Sequence, residues 1–125
     1  MSGLSLDAGA LIAVERGDPG VRALLRQAVD RGLEVHVVPE VIAQVWRGSP
    51  RQALLGVLLS ARGVDTPAYD VWATRAVGRL CGATGRHDVV DAHVVWHASS
   101  RGHLVVTSDP DDMRALDPSV PLWVV

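Results

Sequence analysis

Short apolar runs alternate with amphipathic stretches along the chain, and glycine, proline and aspartate mark the breaks between them. Leu4 to Leu6 predicts a first strand, and Ala8 to Arg16 a helix with Leu11 and Ile12 turned inward and Glu15 toward solvent. Gly17-Asp18-Pro19 interrupts it, with Asp18 placed as an N-cap and Pro19 at the first helical position. Val21, Leu24, Leu25, Ala28 and Val29 then recur at helical spacing up to Gly32. Val35 to Val38 predicts the second strand, Glu40 to Trp46 a helix, and Arg51 to Arg62 another that closes at Gly63. Val64 to Pro67 reads as an outer strand, Tyr69 to Cys81 as a helix and Gly82 to Arg86 as a loop. Asp88 caps a helix running to about Ser100 and ending at Gly102. Leu104 to Thr107 is a strand, Pro110 to Leu116 a short helix, and Leu122 to Val125 a last strand. Strands alternating with helices predict an α/β class, a three-layer α/β/α sandwich around a mainly parallel sheet of four or five strands. The apolar strands fit a sheet covered on both faces.

With 125 residues, no repeat and no linker, residues 1–125 are expected to form one domain with its own core. No apolar stretch approaches the roughly 20 residues a membrane helix needs, and the N-terminus lacks a basic, apolar export signal. The lone cysteine, Cys81, lies in an apolar helical pattern and is expected to be a buried thiol, in keeping with a reducing cytoplasm. A net charge of -2 carries no global nucleic-acid footprint, although arginines can still cluster locally. All 12 basic residues are arginine. The absence of lysine removes every chemistry that depends on one.

Four acidic residues stand where an apolar element begins or ends: Asp7, Glu40, Asp91 and Asp109. The C-terminal edge of a parallel sheet is where ligands bind, and carboxylates gathered there repel one another unless a cation is present. A hard ion with oxygen ligands, Mg²⁺ or Mn²⁺, is the simplest resolution. Each residue also has an ordinary structural reading. Asp7 can be a helix cap, Glu40 a first-turn glutamate favoured by the helix dipole, and Asp88 with Asp91 a capping pair. Asp109, Asp111 and Asp112 can be turn residues around Pro110. Recurrence of the same placement along the whole chain favours a common site.

Taken together, Leu6-Asp7-Ala8-Gly9-Ala10-Leu11-Ile12, Glu40, Asp88-Val89-Val90-Asp91-Ala92 and Val105-Val106-Thr107-Ser108-Asp109-Pro110-Asp111-Asp112-Met113 resemble the PIN-domain ribonucleases. Within these the chain looks most like the VapC toxins of bacterial toxin–antitoxin pairs. The resemblance places the family's acidic quartet on Asp7, Glu40, Asp91 and Asp109, with Asp88 and Asp112 as auxiliary acids and Thr107 as a hydroxyl near the metal. It implies a PIN-like fold and a Mg²⁺- or Mn²⁺-dependent endoribonuclease that leaves a 5′-phosphate and a 3′-hydroxyl. It also implies a cytoplasmic homodimer held by an antitoxin whose C-terminal segment crosses the acidic groove. The segment from Gly48 to Gly85 matches only in helical character and says nothing about the substrate. Arg16, Arg47, Arg86 and Arg101 flank the motif segments and are candidate RNA contacts.

His93 and His97 have zinc-ligand spacing on one helix, but Val94 stands where a metalloprotease needs glutamate and the sequence offers no strong third ligand. No zinc site is therefore expected there. Trp46, Trp72, Trp96 and Trp123 lie in apolar patterns and are expected in core or dimer-interface packing rather than base stacking. Receiver domains and haloacid-dehalogenase-type phosphatases need a lysine, and nucleotide binders need glycine-rich motifs; both are missing. The alternative from another class is a catalytically inactive PIN-like scaffold or RNA-binding module. Such a protein is expected to have lost part of the acidic quartet, and all four residues are present.

Overall fold

The strands β1 (Gly3–Leu6), β2 (Glu34–His36), β3 (Val64–Asp65), β4 (His103–Thr107) and β5 (Leu122–Val124) form one sheet in the order β3-β2-β1-β4-β5. The computed structural model describes all 125 residues and pairs every neighbouring strand in parallel. Parallel neighbours need crossover connections, and seven helices supply them. They are α1 (Ala8–Glu15), α2 (Pro19–Asp30), α3 (Pro39–Val45), α4 (Ala53–Ser60), α5 (Val71–Thr84), α6 (Val89–Arg101) and α7 (Pro110–Leu116). Helix α1 packs on α2, α3 and α4, whereas α6 packs on α5, α7, β1 and β4. The result is the expected α/β/α sandwich. Its core joins Leu4, Leu6, Val35, Val105 and Val106 of the strands to Leu11, Val41, Leu55, Val94, Val95 and Met113 of the helices.

Local chemistry accounts for most boundaries. Asp18 accepts from the Val21 amide at 3.0 Å beside Pro19, and Asp70 accepts from the Ala73 amide at 2.9 Å. Helix α5 runs on through Gly82 to Thr84, where a loop was predicted, and it stops at Gly85 in the left-handed conformation at φ 71°. A glycine inside a helix costs only about 1 kcal/mol, which the packing of Val77, Leu80 and Cys81 on the core outweighs. Strand β2 ends at His36, not at Val38, because Val38 already stands at the N-cap of α3. Two other expectations change: Val29 is exposed although it fits the helical repeat, and Cys81 is half-buried. Trp72 is 80% exposed on the single chain, so of core and interface packing only the interface remains open to it.

The strands are also less uniformly apolar than predicted. Leu4, Leu6 and Val35 enter the hydrophobic core, but Ser5, His36 and His103 are buried polar residues. Ser5 Oγ lies 2.9 Å from His103 Nδ1, and His36 Nδ1 lies 2.8 Å from His97 Nε2 on α6. A polar seam therefore runs between the sheet and α6.

Candidate active site

The strand order reverses between β1 and β4, and the crevice beyond the C-terminal ends of those strands is where open α/β sheets bind ligands. Asp7 follows β1 and Asp109 follows β4, so the register Leu6↔Val106 brings both to this crevice. The Asp7 amide donates to the Val106 carbonyl at 3.1 Å. One Asp7 carboxylate oxygen accepts from the Ala10 amide at 2.9 Å, which caps α1, and the other accepts from the Thr107 hydroxyl. Thr107 Oγ1 in turn accepts from the Asp109 amide at 2.9 Å. Thr107 thus ties the ends of β1 and β4 together.

Gly9 explains how closely α1 approaches this corner. A Cβ at that position would come within 2.1 Å of Ser108 Oγ and 2.6 Å of Ser108 Cβ. Only glycine lets the first turn of α1 lie against Ser108 and Asp109.

Helix α6 brings the remaining acids. Asp88 caps it alone, accepting from the Val90 and Asp91 amides at 3.0 Å. Asp91 thus joins the capping through its amide, as its spacing allowed, while its carboxylate takes no part. Burial pushes the Asp91 carboxyl up to about 7, and Asp88, Asp7, Asp112 and Asp109 add like-charge repulsion. Burial likewise raises Asp7, against its hydrogen bonds to Thr107 and Ala10, and Asp109 raises it further. Asp109 and Asp112, at the start of α7, are exposed, and Asp109 makes no capping bond. Beside them an open cleft of ≈ 240 Å³ is lined by Arg86, His87, Asp88, Asp91 and Asp112.

Glu40 stands apart from this group. One of its oxygens lies 2.7 Å from His93 Nδ1, and the other is buried with no partner. His93 is fully buried and stacks on Tyr69 with ring centroids 4.2 Å apart. Tyr69 has its hydroxyl pKa raised, by burial first and by the Glu40 charge second. Nothing in the spacing of His93 marked it as the anchor of Glu40; the two are 53 residues apart.

The structure therefore gathers Asp7, Asp88, Asp91, Asp109 and Asp112, holds Thr107 among them, and orients Glu40 through His93. The carboxylates do not close around one point. The one group of three or more His, Cys, Asp or Glu ligand atoms within 4.8 Å of one another is His36, His97 and His103, away from this cleft. The donor set nevertheless suits a divalent cation with oxygen ligands: all are carboxylates, burial and neighbouring acids raise both Asp91 and Asp7, and one Glu40 oxygen is buried without a partner.

Of the four arginines flanking the motifs, Arg86 alone lines the cleft. Arg47 folds back on its own helix, donating to the Ala43, Gln44 and Trp46 carbonyls at 2.8 to 3.1 Å. Arg101 lies 3.6 Å from Glu34, at the opposite end of α6 from Asp91. Arg16 caps the end of α1 remote from Asp7.

No protein-family model and no curated protein matches the chain by sequence. Its fold is nonetheless that of solved structures. A chain of VapBC2 from Rickettsia felis, bound to a DNA fragment from its promoter, matches with TM-score 0.72 and 16% identity over 97% of both chains. DNA-bound VapBC from Salmonella typhimurium gives TM-score 0.72 and 16% identity over 99% of this chain and 98% of that one. FitAcB from Neisseria gonorrhoeae gives TM-score 0.62 and 16% identity over 96% of each. The PIN-like three-layer fold expected from the acidic motifs is thus the fold observed, along its whole length.

Proposed function

We propose that this chain is a metal-dependent endoribonuclease and the toxin component of a toxin–antitoxin pair. The observation that carries the reading is the convergence of Asp7, Asp91 and Asp109, with Asp88 and Asp112, at the switch point of a PIN-like sheet. Full-length likeness to chains of VapBC and FitAB complexes supports the toxin–antitoxin assignment.

Asp7, Asp91, Asp109 and Glu40 would hold one or two Mg²⁺ or Mn²⁺ ions. Such ions lower the pKa of a bound water and neutralise charge on a phosphodiester. The protein's own part is positional. Thr107 keeps one Asp7 oxygen aimed across the β1–β4 crevice, while the α1 amide keeps the other in place. His93 holds Glu40 by one oxygen and leaves the other free. Arg86, at the rim of the acidic cleft, is placed to meet an RNA phosphate. A cytoplasmic antitoxin would occupy the same groove with an arginine that pairs with these carboxylates.

The test is cleavage of labelled RNA with Mg²⁺ or Mn²⁺, compared with Asp7→Asn, Asp91→Asn and Asp109→Asn. Cleavage in the wild type alone, abolished by EDTA, is the expected outcome. Equal cleavage by all four proteins would overturn the reading. RNA binding without any cleavage would favour an inactive scaffold.

A further inference from the structure

We infer that His36, His97, His103 and Glu34 form a second cation site, selective for Zn²⁺ and separate from the acidic cleft. The three histidines come from β2, α6 and β4, and all are buried. Their ligand nitrogens lie within 4.8 Å of one another. Glu34 Oε2 lies 3.0 Å from His36 Nε2 and 3.4 Å from His103 Nε2. Two ligands on one tetrahedral zinc, at bond lengths of about 2.0–2.1 Å, stand about 3.3–3.4 Å apart. The Glu34 oxygen already stands close to that spacing from both imidazole nitrogens. His97 Nε2 now faces the other His36 nitrogen, Nδ1, at 2.8 Å, so closing the shell requires the His36 and His97 rings to turn.

Other details fit a metal better than a plain polar core. His103 Nε2 is buried and makes no well-formed hydrogen bond, its nearest acceptor being Glu34 Oε2 at 3.4 Å, so its lone pair is open to a metal. Ser5 Oγ engages the other ring nitrogen, His103 Nδ1, at 2.9 Å, and so orients the ring as an outer-shell partner does. Gly3 leaves the space this needs: a Cβ there would lie 2.8 Å from His103 Nε2 and 2.9 Å from Glu34 Cβ. Glu34 keeps 45% of its side-chain exposure, which gives an ion a path from solvent. Three imidazoles and one carboxylate select a borderline ion such as Zn²⁺ over Mg²⁺, which demands oxygen ligands. Arg101, 3.6 Å from Glu34, is the one fixed cation opposing entry, and it is half exposed and free to move aside. Bound zinc would join β2 and β4 to α6, the helix that carries Asp91 to the other end of the seam.

The inference does not depend on nuclease activity. The full chain, stripped with EDTA and dialysed, would be titrated with Zn²⁺ alone by calorimetry, and with Co²⁺ to record the intense absorption of a tetrahedral site. One ion per chain is expected, with Mg²⁺ unable to compete. Glu34→Gln should weaken zinc at least about 10-fold, His36→Gln should abolish the Co²⁺ spectrum, and Arg101→Gln should tighten binding. Asp91→Asn and Asp109→Asn should bind zinc as the wild type does. Zinc binding unchanged in Glu34→Gln, no binding in the wild type, or loss in Asp109→Asn would each overturn the site. Because Glu34 is half exposed, its glutamine variant is expected to fold and decides the matter even if the histidine variants do not.

Discussion

Asp91 shows how a single side chain records the presence of its neighbours. Its carboxyl titrates near 3.8 when unperturbed but is pushed up to about 7 in the fold, so the folded chain binds this proton more tightly than the unfolded one. The resulting stabilisation is complete below about pH 4 and is lost as the pH rises through 7. His97 runs the other way: burial and its histidine neighbours lower it from 6.5 to about 4, and its contribution is lost as the pH falls through that window. In EDTA, Asp91→Asn should therefore melt above the wild type at pH 8, by about 3–5 °C for each kcal/mol of desolvation and repulsion relieved, and the gap should shrink toward pH 5. Comparing the two proteins at one pH cancels the His97 effect. A gap of the same size at both pH values would mean that burial and neighbouring charges do not raise the Asp91 carboxyl. His93 gives a second test. With Glu40 held at 2.7 Å, His93→Ala should reduce cleavage about 10–100-fold and raise the metal concentration needed, while leaving the three aspartates in place. An unchanged metal requirement would make His93 a mere packing residue.

Elements were legible wherever a local rule governed them. Proline after Asp18, glycine at 102 and aspartate at 88 set helix ends in the places their chemistry demands, whereas the end of α5 at Gly85 was masked by Gly82 inside the helix. The acidic edge was legible for the same reason, since each acid immediately follows or opens an element. What could not be read were contacts between elements. His36 meets His97 across 61 residues and Ser5 meets His103 across 98, so no spacing rule links them, and the missing third ligand for His97 lies on other strands. The Glu40–His93 pair was hidden in the same way. Gly9 illustrates the conflict between levels. Alanine is the better helix former by about 1 kcal/mol, yet its methyl would overlap Ser108. Gly9→Ala should therefore lower the melting temperature instead of raising it, and it should cut cleavage by displacing Asp109. A stabilised, fully active variant would show that the β4–α7 turn yields freely.

On the scale of the whole molecule, apolar surface remains that the fold does not consume. Val21 and Leu55 are fully buried, so the leucine-rich faces of α2 and α4 are partly spent on the core. Between α1, α2 and α4, however, Val14, Leu25, Leu54, Val57 and Leu58 line an open cleft of ≈ 270 Å³, with Leu54 49% and Val57 70% exposed. A contiguous apolar patch of this kind favours association in water. The proposed homodimer would bury it, and a two-fold interface needs the same patch on both copies. Light scattering at micromolar concentration should give twice 13.3 kDa for the wild type and a monomer for Val57→Glu, because a carboxylate buried without a partner opposes pairing by several kcal/mol. The acidic cleft is lined by the connection between α5 and α6 and by residues of α6 and α7, and the apolar one by α1, α2 and α4. Zinc and Mg²⁺ binding should therefore survive in the monomer. A wild type that is monomeric, or a Val57→Glu protein that is still dimeric, would move the interface elsewhere, with the exposed Val71–Trp72 end of α5 the next surface to test.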